Sequence, residues 1–157
     1  MNKFVFELQG VLEIKQKLEG QAKVNFGVAR ARLNAEEEKR DAIAAKIDEY
    51  RERLSSVMIG KINLIEVSRC EDAIDIFEDR LAQQQVAVKR AEKQVELMRS
   101  RLNTVMMERK TIEKLREKRF EEYMKEYNAE ERKQVDELTS YRHSVPNEDE
   151  DRNVAEE

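Results

Sequence analysis

The side chains that could do chemistry in this chain are one cysteine, one histidine, a basic stretch and a run of aromatics toward the C-terminus. Cys70 has no CxxC partner and no Cys/His spacing suited to zinc, so neither an intramolecular disulfide nor a metal centre is expected. His143 stands beside the end of a helical pattern, where a cation favours the helix dipole, and a cap-like role is expected rather than proton transfer. Serines and carboxylates are plentiful. No G-x-S-x-G, Walker A or H-E-x-x-H pattern gives any of them a base, an orienter or a phosphate cradle. No catalytic residue, metal or cofactor is therefore assigned, and the chain is not read as an enzyme.

The basic stretch, Lys89 to Arg119, carries eleven basic against five acidic residues. Such a patch could contact phosphate, an acidic protein groove or only solvent. Acids recur among the bases and no aromatic is interleaved before Phe120, which argues against nucleic acid. Net charge argues the same way. Of the formal −4, the segment from Pro146 to Glu157 holds six acids against Arg152, leaving the rest of the chain near neutral.

The elements that must position these groups are long helices. Of 157 residues 41% are charged, with four glycines, one proline and no tryptophan, a composition of coiled coils rather than of a globular enzyme core. No apolar run approaches the length of a membrane span, and MNKFVFELQG meets acid and glycine before a signal-peptide core could form, so a cytosolic protein is expected.

A narrow stripe spaced alternately by three and four runs Val5, Leu8, Leu12, Lys15, Glu19, Ala22, Phe26, Ala29, Leu33, Glu36, Arg40, Ile43, Ile47, Tyr50, Leu54, Val57. Its charged interruptions are Lys15 with Glu19 and Glu36 with Arg40, and Ile14 and Leu18 offer a shifted local register. A second stripe runs Ile74, Phe77, Leu81, Gln84, Val88, Ala91, Val95, Met98, Leu102, Val105, Arg109, Ile112. Past Ile112 the pattern resumes through Arg116, Phe120, Tyr123 and Tyr127 with one four-residue step too many, a stutter. Met106 and Met107 read as surface, and Tyr50 and Phe77 are open either to core packing or to a partner.

These stripes predict an all-α fold: a long two-helix antiparallel coiled-coil hairpin over 1–145, with helix one about 5–57, a turn about 58–68 and helix two about 69–143. Gly60 suits a C-terminal cap, Asn63 with Glu66 resembles a capping pair, and a short helical turn over about 63–68 can lead into helix two. Residues 146–157 have the composition of an acidic disordered tail. Setting Val57 against Ser68 sets Val5 against Phe120. At about 1.5 Å per residue helix two outruns helix one, which predicts an overhang carrying Tyr123, Tyr127, Leu138 and Tyr141 for another protein.

The opening KFVFELQGVLEIKQKLEGQA, through Lys3, Phe4, Phe6, Leu8, Val11 and Leu12, resembles the start of the bacterial flagellar export protein FliJ family. The stretch ERKTIEKLREKRFEEYMKEYNAEERKQVDELTSYRH resembles its second signature, through Glu108 to Lys110, Glu113 to Leu115, Tyr123, Lys133, Asp136 and Glu137. The resemblance implies a non-enzymatic component of the flagellar type III export apparatus, similar in shape to the stalk of rotary ATPase γ subunits. Its implied partners are the hexameric export ATPase, the cytoplasmic domain of the export gate protein and export chaperones. Its implied location is the cytoplasm, peripherally at the inner face of the cell membrane through those partners.

Carried over residue by residue, the resemblance implies a gate-facing patch at Ile43, Tyr50, Ile74, Phe77 and Leu81, with Cys70 where an aromatic can occur. It implies an ATPase-facing end at Phe4, Phe6, Leu8, Leu115, Arg119, Phe120, Tyr123 and Tyr127. Two alternatives remain from the residues, a self-associating coiled-coil adaptor and a nucleic-acid clamp using Lys89 to Arg119; the resemblance adds a third, the related stalk protein of virulence type III secretion, whose family usually lacks the KFxF opening.

Overall fold

The structure, a computed structural model, describes residues 2–145. Two helices account for nearly all of them, α1 at Gln9–Val57 and α2 at Leu64–Ser144, joined by a short turn into an all-α hairpin. No helix among the described residues is long and apolar enough to cross a membrane. The proposed tail, 146–157, lies outside the described residues.

The chain divides into two compact units, Glu13–Arg109 and Met1–Leu12 with Lys110–Glu157. In the first, the helices run antiparallel, with Tyr50 stacked on Phe77 near the turn and Lys15 bonded to Glu108 at the far end. Its core is thin. Ala29, Val95 and Met98 are buried together, with Phe26 and Leu33 packed against them, and Ala91, Val88, Ile47 and Cys70 extend the seam toward the turn. Alanines at Ala29 and Ala91 let the helices approach where larger neighbours fill the remaining gaps.

Every position of the first stripe from Leu12 to Val57 is buried or half-buried, the charged ones included. Ile14 and Leu18 do not capture a shifted register: they stay 58% and 43% exposed, while Glu19 is 6% exposed. The reason lies opposite, where Arg109 pairs with the Glu19 carboxylate across the seam. A buried charge is tolerable when it is paired and hydrogen-bonded.

The turn differs from expectation in length. α2 begins at Leu64 rather than near residue 69, because Asn63 caps it: the Ile65 amide donates to Asn63 Oδ1 at 3.1 Å, and the Val67 amide donates to the Asn63 carbonyl at 3.1 Å. α1 closes on Gly60, whose φ of +86° is left-handed backbone. A Cβ added there meets nothing within 4 Å, so strain alone sets the cost of a side chain. Gly60→Ala is expected to lose about 1 kcal/mol, read as a shift in denaturation midpoint without change in slope.

The second unit corrects three expectations. α1 begins at Gln9, not near Val5, and residues 2–8 are non-helical, closed by the Gln9 amide donating to the Phe6 carbonyl at 3.1 Å. Beyond Ile112 the inward position is Leu115 rather than Arg116, which is exposed. Tyr123 is not an unpartnered overhang residue: its hydroxyl donates to the Asn2 carbonyl at 3.0 Å and its ring meets Phe4. In each case packing of the N-terminal aromatics against α2 outweighs helical periodicity. Leu138 and Tyr141 remain largely exposed, as expected.

Candidate partner-binding site

The N-terminal unit gathers four rings. Phe4, half-buried, sits edge-on to Phe120 with centroids 5.2 Å apart and tilted against Tyr123 at 5.4 Å. Phe120 and Tyr123 lie 6.3 Å apart, one turn along α2, and Tyr123 and Tyr127 lie 6.2 Å apart by the same helical spacing. Edge-on and tilted contacts suit the ring quadrupoles. The Tyr123 hydroxyl on Asn2 ties down the start of the segment.

Between that segment and α2 opens a cavity of about 700 Å³, lined by Asn2 to Leu8 and by Leu115, Arg119, Glu122, Tyr123 and Glu126. Of the eight residues carried over as the ATPase-facing end, six line this cavity, and Phe120 and Tyr127 join it through their ring contacts. Apolar walls with Lys3 and Arg119 beside Glu7, Glu122 and Glu126 suit a partner that presents an apolar side chain amid mixed charge.

The five residues that the resemblance carries over as a gate-facing patch lie in the other unit. Tyr50 and Phe77 stack across the helices at 5.7 Å, and Ile43, Ile74 and Leu81 are half-buried on the same seam. Arg53 lies over the Tyr50 ring at 5.2 Å and Arg80 over Phe77 at 5.4 Å, while Arg51 bonds Glu78 at 2.9 Å. The two rings thus pack across the seam, half-buried, each with an arginine over its face. Cys70 is buried and free.

The basic stretch does not present an even positive face. Arg109 turns into the seam toward Glu19, Arg99 bonds Glu96 at 2.8 Å and lies over the Phe26 ring at 5.7 Å. His143 sits in the last turn of α2 with Arg142. Among the described residues no group of three or more His, Cys, Asp or Glu side chains could hold a metal ion.

Two acidic seam residues were seen in the sequence only as interruptions, and their partners were missed. Burial pushes the Glu19 carboxyl up, but the Arg109 and Lys23 side chains more than reverse this and hold it below the usual 4.5. At Glu36 the Gln84 amide is the main cause of a lowered value: its Nε2 donates to the side chain at 2.5 Å and to the Glu36 carbonyl at 2.9 Å. Burial opposes that, and Lys39 and Arg32 add attraction. The signal was available. Gln84 and Arg109 are the two non-apolar members of the second stripe, and each lies about a turn from the position opposite an acid of the first.

Both carboxyls are depressed in the folded state, so their stabilisation is full above the unfolded value of 4.5 and disappears as pH falls from there through the lower folded values. The thermal midpoint is expected to drop below pH 4.5, and more shallowly in a Glu19→Gln, Glu36→Gln double variant. Circular dichroism melts across that range check it. Equal slopes would mean that other carboxylates carry the acid response.

The family model described as Flagellar FliJ protein matches residues 4–148 of the chain. No curated protein and no solved structure matches it.

Proposed function

The chain belongs to the flagellar FliJ family and is thereby a component of the flagellar protein-export apparatus, and on that premise we propose that it works as a central stalk of the export ATPase. In this reading the end carrying Phe4, Phe6, Leu8, Leu115, Arg119, Phe120, Tyr123 and Tyr127 engages the ATPase ring and promotes its assembly and turnover. The patch of Ile43, Tyr50, Ile74, Phe77 and Leu81 meets the cytoplasmic domain of the export gate. Export chaperones bind elsewhere on the helices, and the protein is held at the inner face of the membrane through these partners. It hydrolyses nothing itself.

The observation that carries the reading is the convergence of the N-terminal segment and α2 on one aromatic-walled cavity. Two stretches about a hundred residues apart in sequence, each resembling the family at one end, meet there. Buried aromatic anchors ringed by polar groups are the usual centre of a binding surface. Coupling of ring to gate then needs only that the hairpin contact each partner differently in its different states.

The test is titration of the protein into the export ATPase of its own source, following ATP turnover and hexamer formation by sedimentation. Stimulation that saturates near one chain per hexamer supports the reading. Absence of stimulation and of co-sedimentation, with both proteins folded, rejects it. A tight dimer of the chain alone would favour the self-associating adaptor instead.

A further inference from the structure

We infer that the turn between α1 and α2 is a lipid-contacting tip that inserts shallowly into an anionic membrane surface. Five large aliphatic side chains, Met58, Ile59, Ile62, Leu64 and Ile65, stand exposed on this turn, Ile59 at 81% and Leu64 at 76%. No other segment of the described chain exposes so many within eight residues. Scattered exposed aliphatics need no explanation, but a cluster at the apex of a hairpin marks a surface that something covers.

The tip's shape and size select the occupant. It is the closing turn of two helices, so it projects, and a projecting apolar surface suits a medium that can flow around it. A second copy meeting it tip to tip would bury only this short segment, against the roughly 20–30 residues a side of a stable protein interface. Charge points to an anionic surface: the apex itself, residues 57–65, carries Lys61 in the middle of the apolar cluster and no acid. Aliphatics to enter the acyl boundary and cations to meet the headgroups form the pattern of interfacial insertion.

The backbone is prepared for shallow depth. The amides of Met58, Ile59, Ile65 and Val67 are already donated, to the Leu54 carbonyl, the Ser56 carbonyl, Asn63 Oδ1 and the Asn63 carbonyl. Gly60 and the Asn63 cap hold the turn in place, so no ordering is needed on contact. The groups at the very apex still need water or headgroups, which sets the tip at the boundary region and not in the hydrocarbon core. This inference goes beyond the stalk reading and does not rest on it.

Vesicle co-sedimentation of the full chain tests it, with phosphatidylcholine alone and with phosphatidylcholine mixed with phosphatidylglycerol. The protein is expected to bind the mixed vesicles at low salt and to be released as salt rises. Ile59→Ser with Ile62→Ser should weaken that partition by about tenfold or more, and Lys61→Glu should weaken it several-fold on the mixed vesicles only. All should keep wild-type helicity. Because the chain has no tryptophan, Ile59→Trp supplies a reporter whose emission should shift to the blue and be quenched by brominated acyl chains. No binding by the wild type, equal binding by the serine variant, or binding without quenching overturns the inference. So does a dimer that the serine variant abolishes, which would make the tip an interface between copies. ATPase stimulation in solution should be unchanged by these variants, so the outcome of the ring experiment and of this one are separate.

Discussion

Replacing Arg109 with Met is expected to lower the thermal midpoint by roughly 5–10 °C. The Glu19 side chain is 8% exposed, and losing Arg109 leaves its carboxylate on the seam with Lys23, 3.3 Å away but mostly in water. A buried charge stripped of its partner costs far more than the pair contributed when intact. The companion variant carries Glu19→Leu and Arg109→Leu together and should recover the wild-type midpoint or exceed it. If the single change leaves the midpoint where it was, the pair is incidental and the aliphatic seam carries the helices unaided.

That double variant is also expected to be less specific. In a two-helix seam, polar groups that can only be satisfied by one facing partner penalise slipped pairings, whereas leucine meets leucine in any register. Slippage would show as loss of the Tyr50–Phe77 stack, read in the near-ultraviolet spectrum, even as the midpoint rises.

The second large effect is on function. Tyr123→Ala is expected to weaken binding to the export ATPase by about thirtyfold or more, the scale of a hot-spot aromatic, while the melt of the hairpin changes little. The substitution removes the ring under Phe4 and the hydroxyl that holds Asn2, so the N-terminal segment loses its seat on α2. Tyr123→Phe keeps the rings together and should retain most of the affinity. Amide exchange at residues 3–8 separates the causes: it should rise sharply in the alanine variant. If affinity is unchanged in both, the aromatic end is not where the ring is engaged. A collapse of the whole melt would instead make Tyr123 a core residue.

Much of the fold was legible because one simple force organises it. A helix with water on most of its circumference must bury a stripe, and alternating steps of three and four reveal that stripe even through Lys15, Glu19, Glu36 and Arg40. The pairing of Val5 near Phe120 likewise anticipated Phe4 against Phe120. Periodicity fails where the chain stops being a helix. Val5 fits the stripe on paper yet is 78% exposed, because the Phe4 ring beside it gains more by reaching α2 in an irregular path than the segment gains by adding another turn to α1. The same contacts explain why Leu115 faces inward in place of Arg116. The exposed aliphatics of the turn were equally hidden, since a turn has no period from which to deviate.

One consequence follows from how thin the seam is: among the described residues no large side chain is more than 98% sequestered from solvent. Where a seam is this thin, each segment's local opening depends mainly on what it touches within a turn or two. Amide exchange along α2 should then vary continuously with local partners, slowest around Val88 to Met98, rather than falling to one common global rate.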